Sequence, residues 1–414
     1  MSPDPGPTFR IRSLTLSVYL PTFLFAVGQG AVIPIVPLFA RELGASVAVA
    51  GTIVAVRGLG IMFFDVPAGV LITRLGERGA MLIGTVALAV VAVGAAFSPG
   101  PIAFAALMFV MGCAWSIWML ARLSYATEHA PLEQRGRVLS LIGGANRIGN
   151  FAGPFLGGFA GVAFGLEAAF YIQAALALAA AGTLFFTMVA DDKPPELHTD
   201  AAYKRIGAVV RDHRRVFATA GVASVAIQVL RSSRQAVIPL WGDHIGLDAG
   251  QIGVIFGFTS AIDMTLFYPV GIIMDRKGRK WAGVPCLLVM SLGMLAIPIT
   301  DSFVGLLLAG LVTGFGNGLG SGINMTLGAD FSPAAARGEF LGVWRLITDV
   351  GTAGGPLVVG ALTAAASLGA ASVATGGIGL VGAAIMLFFV PEPLHRAPSA
   401  SVRPPPTPQP APPP

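Results

Sequence analysis

Apolar stretches of about 18 to 25 residues recur along the whole chain, and each is long enough to cross a bilayer as a helix. Twelve can be placed. The first six run over residues 13–39, 47–72, 80–97, 102–126, 136–162 and 166–190, and the last six over 216–241, 250–273, 281–299, 302–328, 338–363 and 370–390. Only 11% of the 414 residues are charged, against about 25% in a soluble domain. A chain this long could not cover a water-facing surface with so little charge, so a soluble enzyme and a disordered protein are both excluded. The expected class is an all-α polytopic membrane protein with the lipid bilayer as its solvent. The net charge of +5 does not point to nucleic acid, because basic loops beside the membrane account for it. Cys113 and Cys286 both fall in apolar stretches. No disulfide, metal site or cofactor is expected from them.

A polar segment, residues 191–215, separates the two sets of six spans. Residues 1–12 form a short polar N-terminus, and residues 391–414 a Pro-rich tail (PPPTPQPAPPP) expected to be disordered. Outside the spans, every Lys and Arg except Arg41 lies on the side of the N-terminus. The positive-inside rule then puts both termini in the cytoplasm, with a bacterial inner membrane as the expected location.

The chain also repeats itself. Adding 202 to a residue number in the first half gives a similar residue in the second, without gaps: Pro37, Gly44 and Gly51 become Pro239, Gly246 and Gly253. Likewise Glu128, Pro131, Arg135 and Gly136 become Asp330, Pro333, Arg337 and Gly338. Two parallel six-helix bundles, 13–190 and 216–390, joined by a cytoplasmic linker are therefore expected.

The loop after span 8 reads Gly271-Ile-Ile-Met-Asp275-Arg276-Lys-Gly278-Arg279-Lys. Its counterpart after span 2 is Gly69-Val-Leu-Ile-Thr73-Arg74-Leu-Gly76-Glu-Arg78. Glycines allow a tight turn between helices, an acid can cap a helix N-terminus, and an Arg can pair with an acid on another helix. The expected partners are Glu128 for Arg74 and Asp330 for Arg276. Span 5 carries Gly149, Gly153, Pro154, Gly157 and Gly158, and residues 351–360 repeat the run with Val359 in place of Gly157. Small residues let helices pack closely in lipid, and a proline can bend one.

These motifs resemble those of the major facilitator superfamily (MFS), over roughly residues 13–390. The span 8 loop matches the family signature G-x-x-x-D-R-x-G-R-K, and the span 5 run resembles G-x-x-x-G-P-x-x-G-G of its 12-helix drug/proton antiporters. The resemblance implies two bundles around a central cavity, rocking to expose a midplane site to alternate sides. It implies that the loops act as latches holding one state, with Thr73 a departure from the acidic pattern.

Nine charged residues fall inside spans: Arg57, Asp65, Arg122, Arg147, Arg231, Arg234, Asp263, Arg345 and Asp349. A charge at the bilayer centre costs about 2.5 to 3.5 kcal/mol on insertion scales, so such residues face a cavity or pair. Arg57, Arg147, Arg231 and Arg234 are candidates to hold an anionic substrate; Asp65, Asp263 and Asp349 are candidates to carry a proton. Structural readings stand beside these. Arg122 and Arg345 are placed to snorkel toward the inner surface, Arg147 and Asp263 to form a structural pair, and Asp65 to join the latch. Gln29, Asn146, Asn150, Gln228, Asn317 and Asn324 are weaker polar candidates, and Trp115, Trp118 and Trp344 candidates to stack on a flat ligand.

The expectation is a monomeric secondary transporter exchanging protons for a small drug-like or metabolite substrate. The alternatives are a proton symporter importing an organic anion and a non-transporting receptor. No nucleotide-binding P-loop is present, and all five histidines lie in loops or the tail, so neither ATP-driven transport nor membrane-embedded catalysis is expected. There are no catalytic residues to name.

Overall fold

The computed structural model describes residues 14–131, 134–188, 200–333 and 336–392. The expected polar N-terminus, the start of the linker and the Pro-rich tail beyond Glu392 lie outside them. Among these residues twelve long helical runs follow in order. α1 covers Thr15–Val32 and continues past Pro34 as Ile35–Glu42. A continuous helical run, Val47–Ala96, holds α2 (47–75) and α3 (77–96), broken where Gly76 takes φ +70°. Only glycine enters that conformation cheaply, which is how an uninterrupted helical sequence reverses direction here. Then come α4 (Pro101–His129), α5 (Arg135–Phe164) and α6 (Ala168–Thr187).

The second half repeats the order: α7 (Arg214–His244), α8 (Ala249–Lys277), α9 (Lys280–Ile299), α10 (Phe303–Leu319, resuming as Ile323–Phe331), α11 (Arg337–Ala365) and α12 (Leu368–Phe388). The expected linker contains a helix that the sequence reading does not anticipate, Asp200–Asp212. It leads to His213, whose ring meets the Phe340 ring of α11 edge-on at 5.4 Å.

The repeat shows in the caps. Ser46 accepts from Val49 N at the start of α2, and Asp248, 202 positions on, accepts from Gln251 N at the start of α8. Each satisfies an otherwise free helix N–H. Aromatic packing builds the cores. In the first half Phe25 stacks on Trp118 at 3.8 Å, and Phe39, Phe104 and Phe170 meet edge-on or tilted. In the second half Phe340 stacks between Phe217 and Trp344.

The glycine run of α5 divides its work between two neighbours. Gly149, Gly153 and Gly157 press against α1 at Ala26, Val27, Gly30 and Ala31. Gly158 faces α8 instead, where an added Cβ would lie 2.6 Å from Ala249 O and 3.0 Å from Gly253 Cα. The second half copies this: Gly351 and Gly355 press on α7 at Val225 and Val229, while Gly360 meets Ala48 and Thr52 of α2. The halves therefore touch along two equivalent seams, α2–α11 and α5–α8.

Both seams are tight toward the α1–α2 loop, where Gly51 meets Gly360, Gly58 meets Ala353 and Gly158 meets Gly253. Toward the α2–α3 loop the glycines of the same helices, Gly69, Gly143, Gly271 and Gly342, would meet no other atom within 4 Å of an added Cβ. The bundle is closed on one side and open on the other.

Candidate functional site: a central arginine-lined cavity

Between the closed seam and the open side lies a cavity of about 470 Å³, lined by Arg147 and Asn150 of α5, Arg231 and Arg234 of α7, Asp263 of α8 and Asn317 and Ser321 of α10. Helical spacing explains the grouping: Gln228, Arg231 and Gln235 recur every three to four positions on α7 and so share a face. A smaller adjoining space shares Arg147, Arg234 and Asp263 with it. Arg57 lines a third, toward α2 and α11, reached through Ser232, Gln235 and Thr352.

The guanidinium groups are held in different ways. Arg147 Nη1 lies 3.5 Å from Asp263 Oδ1, and its Nη2 donates to Ser321 Oγ at 3.4 Å. Ser321 Oγ donates in turn to Asp263 at 3.2 Å, and the Phe267 ring lies 4.1 Å below the Arg147 guanidinium. Arg231 is fixed by neutral acceptors: Nε donates to Asn317 Oδ1 at 2.7 Å, Nη2 to Gly320 O at 2.8 Å and Nη1 to Gln228 Oε1 at 3.2 Å. Arg57 donates to Gln29 Oε1 of α1, with the Trp115 ring 5.7 Å away. Arg234 has two buried nitrogens, Nε and Nη1, that make no hydrogen bond, where Arg57 has one, its Nε. Buried donors without partners are rare and costly. One Asp faces three Arg here, so the cavity carries net positive charge.

Asp65 and Asp349 lie elsewhere, at the α2–α11 seam. Arg345 Nε meets Asp65 Oδ2 at 2.8 Å and Asp349 Oδ2 at 3.6 Å, and Ser116 of α4 donates to Asp65. Arg345 thus pairs across the seam rather than snorkelling to the surface. The snorkelling expectation fails for Arg122 too. It is 5% exposed, with its guanidinium 4.3 Å over the Trp118 ring and Nη1 3.4 Å from Thr22 Oγ1. The ring face and hydroxyl sit within reach on α4 and α1, so the side chain has no need to extend to the headgroups. Trp118 and Trp344 are core residues packed on Phe25 and Phe340.

The α2–α3 and α8–α9 loops, expected to act as latches, differ from expectation in one pairing. Asp330 meets Arg279, with Nε to Oδ2 at 2.7 Å, while Arg276 is exposed. Gly278 takes φ +106° and turns the chain so that Arg279, not Arg276, lies over the end of α10. Arg279 also reaches Asp275 at 3.5 Å and donates to Met274 O at 2.6 Å. The Asp330 carboxylate pushes the Arg279 guanidinium above its ordinary value. Glu392 completes the corner, accepting from the backbone N–H groups of Arg279 at 2.8 Å and Lys280 at 3.0 Å. In the first-half loop Thr73 donates to Val70 O, Arg78 to Phe185 O, and Arg74 and Glu128 are both exposed.

The chain matches the model of the Major Facilitator Superfamily over residues 18–236 and again over 220–412. The chain belongs to this superfamily. It is a transporter family, and the protein is a membrane transporter rather than an enzyme. An uncharacterized MFS-type transporter of Methanocaldococcus jannaschii is 21% identical over 83% of this chain and 89% of its own. Multidrug resistance protein MdtH of Klebsiella pneumoniae is 24% identical over 78% and 80%, and multidrug resistance protein 2 of Bacillus subtilis 23% identical over 69% and 73%. Among solved structures, a POT family transporter in complex with a thioalcohol-conjugated peptide superimposes with a TM-score of 0.77 at 13% identity, covering 91% of this chain and 96% of that one. A D-xylose–proton symporter gives 0.71 at 18% identity, covering 92% and 98%. At these identities the solved structures share the fold of this MFS chain.

Proposed function

We propose that this MFS protein is a monomeric proton-coupled exporter that moves a small organic anion, drug-like or metabolic, out across a bacterial inner membrane. The reading rests above all on Arg234, whose two buried donors have no partner in a cavity where arginines outnumber the one carboxylate. A carboxylate or other oxyanion would satisfy those donors, and Arg231, already oriented by Asn317, Gly320 and Gln228, would share its charge. With the basic loops facing the cytoplasm, the open side is the inner one, so the cavity loads from inside. The relatives bearing multidrug resistance names support export.

Alternating access requires the tight seam to open while the open side closes. The loop of Arg279 and Asp330 would latch the inner ends. A thermal-stabilisation screen of the purified protein against anionic and cationic compounds tests the substrate class; preferential stabilisation by cations would refute it. Counterflow in vesicles under an imposed pH gradient tests the direction, since uptake driven only by an acidic exterior would mean symport.

A further inference from the structure

We propose that Asp65 and Asp349 together hold one exchangeable proton, with Arg345 as their shared counter-ion, and that this pair, apart from the arginine cavity, carries the proton of transport. The inference rests on the transporter reading above and narrows its coupling to one site.

Three observations meet at the α2–α11 seam. First, two carboxyl groups from opposite halves of the molecule meet the same guanidinium nitrogen, Arg345 Nε, with Asp65 Oδ2 at 2.8 Å and Asp349 Oδ2 at 3.6 Å, and both side chains are 17% exposed. Two like charges in contact away from water cannot both persist, and the usual resolution is a shared proton. Second, the cationic partner is single. Among the described residues Arg345 is the cation that pairs with both carboxylates, and it commits its good geometry to Asp65, with Nε at 2.8 Å and Nη2 at 3.3 Å. Ser116 adds a hydrogen bond to the same Asp65 oxygen that Nη2 reaches. Asp65 is therefore the ionised member. Third, Asp349 Oδ2 is buried, lies 3.6 Å from Arg345 Nε and accepts no hydrogen bond. An ionised oxygen left so would be costly; a carboxyl OH directed at Asp65 removes the difficulty. Asp263 offers no such pairing, because it has its own guanidinium in Arg147 and a donor in Ser321.

The consequence is conformational. With the proton present the group is neutral overall, and Asp349 and Asp65 bind each other across the seam. When the proton leaves toward the open side, two carboxylates face one guanidinium. Asp349 then competes with Asp65 for Arg345 along its own helix, and the carboxylates repel across the seam. Release weakens the contact that holds α2 and α11 together and favours the state open on the other side. In an exporter this is the required order: the proton is released inside, and the loaded cavity then turns outward.

The test uses full-length protein in lipid nanodiscs without substrate. Spin-label distances report the separation of the inner ends of α2 and α11 as pH is raised from mildly acidic to alkaline. The wild type is expected to shift toward the inner-closed state as pH rises. Asp349→Asn, which keeps the shape and donor of the protonated acid, is expected to stay inner-open and lose the response. Asp65→Asn is expected to lose the response as well, since it leaves a simple Asp349–Arg345 pair. A pH response retained in both variants would overturn the proposal, as would its absence from the wild type. Failure of Asp349→Asn to fold would count equally against it, because the amide reproduces the bonding assigned here. In vesicles Asp349→Asn is expected to keep substrate counterflow and lose accumulation driven by a pH gradient. Absence of anion binding would refute the substrate reading alone, so the two failures are distinguishable.

Discussion

Arg41 and Asp243 stand 202 residues apart, at equivalent positions of the two repeats, and pair with each other at 3.6 Å. Equivalent residues meet only at the axis relating the halves, so this ion pair crosses that axis on the closed side. Arg41 Nη1 also donates to Ala45 O at 2.6 Å, which fixes its direction. The side chains are 37% and 44% exposed, so the pair contributes about 0.2 to 1 kcal/mol at most. It biases the closed side rather than locking it. Arg41→Asp is expected to raise the outward-open population by a factor of up to about 5, and the Arg41→Asp/Asp243→Arg double variant to restore it. Spin-label distances across the α1–α2 side would show this; equal populations in all three proteins would contradict it.

The two kinds of glycine in α5 and α11 should separate under mutation. Gly355→Val drives a side chain into Val229 O and Ser232 within one half, and overpacking of this kind costs about 1 to 3 kcal/mol. A lower melting temperature is the expected result. Gly360→Val obstructs only the contact with α2 of the other half. It is expected to keep the melting temperature and lose outer closure, seen as labelling of cysteines introduced on the cavity side of α2 and α11 by impermeant reagents from outside. Equal loss of stability in both would contradict the division.

In the loop between α8 and α9, Arg279→Ala should cost more than Arg276→Ala. Arg279 meets Asp330, Asp275 and Met274 O with its side chain 12% exposed, and hydrogen bonds to charged groups contribute about 1.5 to 3 kcal/mol. Arg276 is exposed. Transport rate and melting temperature should both fall for Arg279→Ala and change little for Arg276→Ala. Because Asp330 pushes the Arg279 guanidinium upward, the pair keeps its cation fully below the ordinary arginine value. Raising the pH through neutrality should leave this stabilisation intact.

How far these relationships were legible in the sequence follows from their range. The spans, the repeat and the glycine runs are periodic along the chain, and the fold follows from them. Charges inside spans are conspicuous, so every cavity arginine is evident in the sequence. Pairing was not legible, because it depends on rotation and depth of separate helices. Arg345 pointed to Asp65 rather than to the surface, and Arg279 displaced Arg276 through one backbone angle at Gly278. Glu392 lies 113 positions from the backbone N–H it caps, and no local pattern announces it. The Arg41–Asp243 pair did have a signal in the constant offset, since residues on a pseudo-twofold axis pair with their own equivalents.

The central claim is that the unpartnered donors of Arg234 hold an anionic substrate. The most direct measurement is binding of the best anionic compound from the stabilisation screen to Arg234→Gln, by calorimetry in detergent. Hydrogen bonds to charged groups contribute about 1.5 to 3 kcal/mol, so affinity should fall by about 10-fold or more, with the melting temperature of the unliganded protein maintained. Unchanged affinity in a folded Arg234→Gln protein would contradict the account.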